Sequence, residues 1–181
     1  LLGNHQNGGC SFTYYICYGD DELYGNNGDD YFDGGYGSSI YIGGNGYDTV
    51  IADYQSQFII TDTTIDAQGI YSWNHEIEYF NIGGTANGVD VLDASGYSLG
   101  SVRFDGKLGH DIIRGSSNND ELITGDSSYS YGDPNGFSIV DGGPGDDTIR
   151  GRAGRNQISC GDGNDSFEDY YKSDINLTPI S

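Results

Sequence analysis

Methionine is missing altogether, proline occurs three times, and Lys and Arg together number 7 against 28 Asp and Glu in 181 residues. The lack of Met, even at position 1, points to a processed or partial chain whose signal segment lies outside it. Scarce basic residues leave a net charge of −21, which excludes the basic patches that nucleic acid and anionic membrane surfaces require. No apolar run approaches the ~20 residues of a membrane-spanning helix. The three cysteines, Cys10, Cys17 and Cys160, have no CxxC or Cys/His spacing, which argues against zinc. Proximity favours a Cys10–Cys17 disulfide with one thiol left over. Only 35% of the residues are hydrophobic, and at this charge such a chain stays unfolded unless a counter-cation is supplied. The deficit is also uneven: every Lys and Arg falls at or after Arg103, so the first 102 residues hold 14 acids and no base.

Glycine is abundant instead, at 31 residues, and it recurs with a period of nine. The cleanest copies are GGNGYDTVI (43–51) and GGPGDDTIR (142–150), of the form GGxGxDxUx with U a large apolar residue. One frame runs through 106–168 as seven nonapeptides whose eighth positions are Ile113, Leu122, Tyr131, Val140, Ile149, Ile158 and Phe167. Seven apolar matches in seven arise by chance in roughly one of a thousand frames of this composition. A second run covers 7–51, with Tyr14, Leu23, Phe32, Tyr41 and Val50 in the same place, and a lone copy, TANGVDVLD, occupies 85–93. In each unit GGxGxD predicts a tight turn and xUx a short strand whose U side chain points inward. A single apolar residue in nine cannot form a core, so successive coils must stack to bury these residues as ladders. The ordinary preference of Asn, Asp and Gly for turns explains neither the spacing nor the coupled apolar position.

This pattern resembles the RTX, or haemolysin-type, calcium-binding nonapeptide repeats. The resemblance implies an all-β fold, a parallel β-roll or β-solenoid, with several calcium ions as cofactor. It also implies that two nonapeptides make one coil, so that copies two apart stack, with calcium between the turns on position-six Asp carboxylates and turn carbonyls. Such oxygen-rich sites suit a hard cation taking 6–8 ligands.

Under that stacking rule a strong site has Asp at position six in both stacked copies. Asp30 with Asp48 and Asp147 with Asp165 satisfy it. Asp21 falls on Ser39, Asp111 on Tyr129, Asp120 on Ser138 and Asn156 on Ser138, so these, with Asp90 in the lone copy, form a weaker group. Gly25, Gly28, Gly43, Gly44, Gly46, Gly142, Gly143, Gly145, Gly161 and Gly163 would supply the turn backbone. The organisation expected is one continuous domain: roll repeats at 7–51, an interrupting β segment at 52–105, further repeats at 106–168 and a tail at 169–181. The interruption reads as a loop packed on the roll or as coils without ions, built on strands such as FIIT (58–61) and IEYFNI (77–82).

Catalytic signatures fail. His75–Glu76 begins like HExxH, but Tyr79 stands where the second His belongs, and there is no GxSxG. His5, His75 and His110 read as exposed or locally hydrogen-bonded. The Asp20–Glu22 acids recur with the repeat, unlike a glycosidase pair. Not an enzyme itself, the chain could still be the non-catalytic part of a longer secreted one. Asn176 in NLT is a glycosylation sequon in the tail, a more plausible one than Asn164 inside a turn. Three roles follow: a secreted calcium-binding module that folds on export into millimolar calcium; a subunit of an extracellular fibre or surface layer, stacking end to end with copies of itself; and an adhesion module binding polysaccharide through outward tyrosines such as Tyr15 and Tyr31. In the second, Arg150, Arg152 and Arg155 would meet the acidic half of a neighbour. All three place the chain outside the cell or at its surface, with no nucleic-acid partner and no membrane span.

Overall fold

The computed structural model describes residues 9–10, 17–18, 21–33, 39–53, 56–67, 70–125, 136–151 and 155–169. Among them there is no helix, and the chain winds back and forth between two facing sheets. One sheet holds seven strands in sequence order: Tyr31–Phe32, Thr49–Ala52, Tyr79–Gly83, Ser101–Asp105, Glu121–Thr124, Thr148–Gly151 and Ser166–Asp169. Every neighbouring pair in it is parallel. The second sheet has nine strands: Asp21–Asn27, Ser39–Asn45, Ile70–His75, Thr64–Ala67, Gln57–Thr61, Val91–Gly96, Ile112–Arg114, Ile139–Asp141 and Gln157–Ser159. This is the parallel β-roll that the nine-residue period implies.

The core lies between the sheets as vertical ladders. On the seven-stranded side Phe32, Val50, Phe80 and Val102 stand in register, followed by Ile82, Phe104, Leu122, Ile149 and Phe167. On the other side the ladder is Phe58, Leu92, Ile113, Val140 and Ile158. Short strands admit one or two inward residues each, and nearly all of these are below 3% exposed. Burying such a side chain contributes roughly 1.5–3 kcal/mol, and no single rung would hold alone.

Two features depart from an unbroken frame. Ile113 pairs directly with Val140 and Leu122 with Ile149, so a 27-residue coil stands where two-copy stacking expects 18 residues. The TGDSSYSYG copy therefore adds no rung between them, and its Tyr131 lies outside the described residues. The interruption proves to be part of the roll: Gln57–Thr61, Thr64–Ala67 and Ile70–His75 form an antiparallel meander that extends the nine-stranded sheet, while Tyr79–Gly83 continues the other. Near the start, Gly9–Cys10 and Cys17–Tyr18 pair antiparallel with Cys10 opposite Cys17. Cys160 is a buried free thiol. Asn176 and Tyr15 lie outside the described residues.

Candidate metal centre along one edge

The turns that lead from the nine-stranded to the seven-stranded sheet form one edge of the roll. Six of the seven end in an acid, Asp30, Asp48, Glu78, Asp120, Asp147 or Asp165, just before its strand, and the turn before Ser101 ends in Gly100. At the Asp48 turn, Gly44 has φ +104° and Gly46 φ +146°, a left-handed backbone open to Gly but strained for most residues. Asn26 takes the same place as Gly44 at φ +75°, which Asn tolerates. The first residue of the turn is Gly for a different reason: a methyl on Gly25 would meet Asp30 Oδ2 at 2.6 Å and the Gly43 carbonyl oxygen at 2.5 Å. One on Gly142 would collide with the Cys160 carbonyl and stand 2.6 Å from Asp147 Oδ2. Each turn thus brings its own carboxylate oxygen beside a carbonyl of the next coil.

The carboxylates are divided between two tasks. One oxygen ties the coils together: Asp30 N–H donates to Asp48 Oδ1 at 2.9 Å, Asp120 N–H to Asp147 Oδ1 at 2.8 Å and Asp147 N–H to Asp165 Oδ1 at 3.0 Å. The other oxygen has no donor in four cases, Asp30, Asp48, Asp147 and Asp165 Oδ2, all of them buried. An ionised buried oxygen without a partner costs several kcal/mol, so these four atoms ask for a cation. Burial pushes the Asp147 carboxyl up to about 7, with the charges of Asp120, Asp165 and Asp146 adding to the rise against the Asp120 hydrogen bond. Asp48 is raised as well, chiefly by burial. Paired carboxylate and carbonyl oxygens fit calcium, whose double positive charge would neutralise the stacked acids. Among the described residues no group of three His, Cys, Asp or Glu side chains forms a metal cluster, as expected where turn carbonyls supply the remaining oxygens.

Asp120 requires a correction, for it stacks on Asp147 and not on Ser138. It stays outside the metal-seeking set for another reason: Ser116 N–H donates to Asp120 Oδ2 at 2.6 Å and Ser116 Oγ to Oδ1 at 2.9 Å. Thr85 does the same for Asp90, through N–H at 2.8 Å and Oγ1 at 2.8 Å. There Gly84, not Thr85, takes the first turn position, since a methyl on it would strike Asp90 Oδ2. In both turns a hydroxyl residue follows the first Gly and supplies the donors that an ion would otherwise replace. For Ser116 a signal was present in the sequence, Ser where the repeat has its second Gly, whereas Thr85 opens its copy in the nine-residue frame and only the structure moves it to second place.

The opposite edge is closed by protein hydrogen bonds. Asp111 stacks on Ser138 and not on Tyr129: its N–H donates to Ser138 Oγ at 3.2 Å, and its Oδ1 accepts Asp90 N–H at 3.1 Å. Asn156 Oδ1 accepts Ser138 N–H at 3.1 Å while its Nδ2 donates to Thr124 Oγ1, so protein hydrogen bonds engage both ends of the amide. Asp21 pairs with Ser39 in register, as the frame expects. Basic residues complete the ion-free coils: Arg114 pairs with Asp93 at 2.8 Å, Lys107 with Asp105 at 3.3 Å and Arg103 with Glu121 at 3.1 Å. Arg150 sits on a strand and not in a turn, tied to Glu121 and Glu168 of its own chain, and Arg152 lies outside the described residues.

Fold and edge together define a calcium-binding β-roll. The model of the RTX calcium-binding nonapeptide repeat matches four copies, over residues 18–50, 103–128 and 135–167, just over half of the chain. The chain belongs to that family, whose repeats bind calcium ions at multiple sites. Comparison with curated proteins found no match.

Proposed function

We propose that the chain is a secreted structural module whose outer coils fold when it reaches millimolar calcium outside the cell. The observation that carries this reading is the set of four buried, donor-less Asp oxygens on one edge, two near each end of the roll. Without calcium those carboxylates repel one another and burial opposes the ionisation of Asp48 and Asp147, so the coils that carry them lose stability. Binding outside the cell adds its free energy to folding, and extracellular calcium modules typically bind at about 10⁻⁴ to 10⁻³ M. No helix among the described residues is long and apolar enough to cross a membrane. Circular dichroism of the full chain should show β signal rising on calcium addition, with a midpoint of about 0.1–1 mM. Equal β content in chelator and in 5 mM calcium would sink the proposal.

A further inference from the structure

The turn after Asp48 carries no nonapeptide. It reads His75-Glu76-Ile77-Glu78 and lies beyond the repeat match that ends at residue 50. Register nevertheless lays it on the calcium-type turn before it: Ile42 pairs with His75 and Thr49 with Tyr79, so Glu76 falls on Gly43 and Glu78 on Asp48. Three residues shorter than the Gly43–Asp48 turn, it still reproduces that turn's contacts. Asp48 N–H donates to Glu78 Oε2 at 2.9 Å, as Asp30 N–H does to Asp48 Oδ1. A methyl on Gly43 would collide with both Asp48 Oδ2 and the Glu76 carbonyl oxygen, just as one on Gly25 meets Asp30 Oδ2 and the Gly43 carbonyl. Glu76 itself is left-handed at φ +54°, a conformation that the Gly43–Asp48 turn takes one place later, at Gly44. Above all, Asp48 is fully buried and its Oδ2 has no donor. That oxygen lies beside the following coil, not the preceding one.

We propose that a calcium ion binds between the Gly43–Asp48 and Glu76–Glu78 turns, held by Asp48 Oδ2, the Glu76 carbonyl and the Glu78 carboxylate. The longer Glu side chain makes up for the missing turn residues and carries the position-six role. The charge fits, because the first 102 residues contain no Lys or Arg, and Arg103, the first base, has its nitrogens on Asn81, Asp105 and Glu121. Such an ion ties the repeat run to the coil that follows the antiparallel meander, where the nonapeptide pattern has lapsed.

This inference rests on the calcium reading above, and two measurements separate the two. A crystal structure of the full chain grown in calcium chloride should show an anomalous peak about 2.3–2.6 Å from Asp48 Oδ2 and the Glu76 carbonyl. Metal between Asp30 and Gly43 with none here overturns this inference alone, whereas no metal at any turn overturns both. In solution, Glu78→Gln keeps an amide oxygen for Asp48 N–H but removes the charge. Calorimetric titration with calcium should then lose one ion per chain or show that site weakened at least about 10-fold, while Glu22→Gln, which removes an exposed acid elsewhere, matches the parent. Equal stoichiometry and affinity in Glu78→Gln and the parent would reject the site.

Discussion

On the edge that carries Asp30, Asp48, Asp147 and Asp165, the four turns whose Asp has a donor-less Oδ2 share a left-handed second residue. Gly44, Gly143, Gly161 and Asn26 adopt positive φ there, and the Asp that closes each of these turns has an Oδ2 without a donor. Ser116 does not adopt positive φ, and its N–H and hydroxyl both reach Asp120. The hydroxyl turn is therefore a metal-free solution to the same problem, offering donors where the others need a cation. Asp120 already meets the other requirements, since it stacks on Asp147 and a methyl on Gly115 would stand 2.6 Å from Asp120 Oδ2 and collide with the Gly142 carbonyl. Ser116→Gly should consequently raise the calorimetric calcium stoichiometry by one ion per chain. In chelator it should cost about 1–3 kcal/mol, because the buried carboxylate loses its hydroxyl donor, lowering the melting temperature by roughly 2–4 °C per kcal/mol. An unchanged stoichiometry would show that position two does not select between the two kinds of turn. The pairs Asp30–Asp48 and Asp147–Asp165 could be picked out because position six is periodic in the sequence and the family resemblance supplies the i, i+2 stacking rule. The hydroxyl turns were harder to read, because they hinge on a backbone conformation that a nine-residue pattern does not encode.

At the scale of strands and turns, the seven-copy frame through 106–168 was nearly right, and its error has a physical cause. Tyr131 satisfies the apolar position, yet Ile113 pairs straight to Val140 across 27 residues. A coil closes wherever inward residues and hydrogen bonds find register, and an apolar residue at the correct spacing is necessary but not sufficient. That slip moved Asp111 onto Ser138, within the edge that has no donor-less carboxylate among the described residues. Desolvation pushes the Asp111 carboxyl up to about 7; the Asp90 and Asp105 charges add to the rise, and hydrogen bonds from Asp90 and Ser138 oppose it. Asp90 is raised too, again mainly by burial. A carboxyl raised on folding favours the protonated state, so its contribution is complete below about pH 4 and is lost as pH rises through about 7. At saturating calcium the melting temperature should therefore fall between pH 5 and pH 8, by about 6 °C or more if about 2.8 kcal/mol is realised. Asp111→Asn keeps an oxygen for Asp90 N–H and should at least halve that slope in a thermal melt followed by circular dichroism. A variant with the parent's slope would place the pH dependence elsewhere.

Across the whole molecule the acids are neutralised in two different ways, and the division follows the charge asymmetry of the sequence. Coils from Val91 to Thr124 hold Arg103, Lys107 and Arg114 against Asp93, Asp105 and Glu121, and they contain the Ser116 turn. Their core is complete, with Leu92, Val102, Phe104, Ile113 and Leu122 at 0% exposed. The N-terminal coils have no Lys or Arg at all, and the last coils carry Asp147 and Asp165, whose Oδ2 atoms have no donor. Stability in a solenoid is roughly the sum of its units and their nearest-neighbour interfaces, so segments can order separately. Removing calcium should then release the roll from its ends toward its centre. Hydrogen exchange on the full chain in chelator is expected to show protection lost by about 10-fold or more over residues 21–52 and 139–169 and kept over 91–124, with calcium restoring both ends. Uniform loss along the chain would mean that the middle has no stability of its own and that salt bridges and hydroxyl turns do not replace the ion. Uniform retention would mean that the outer acids tolerate their own repulsion, contrary to the four donor-less oxygens buried among them.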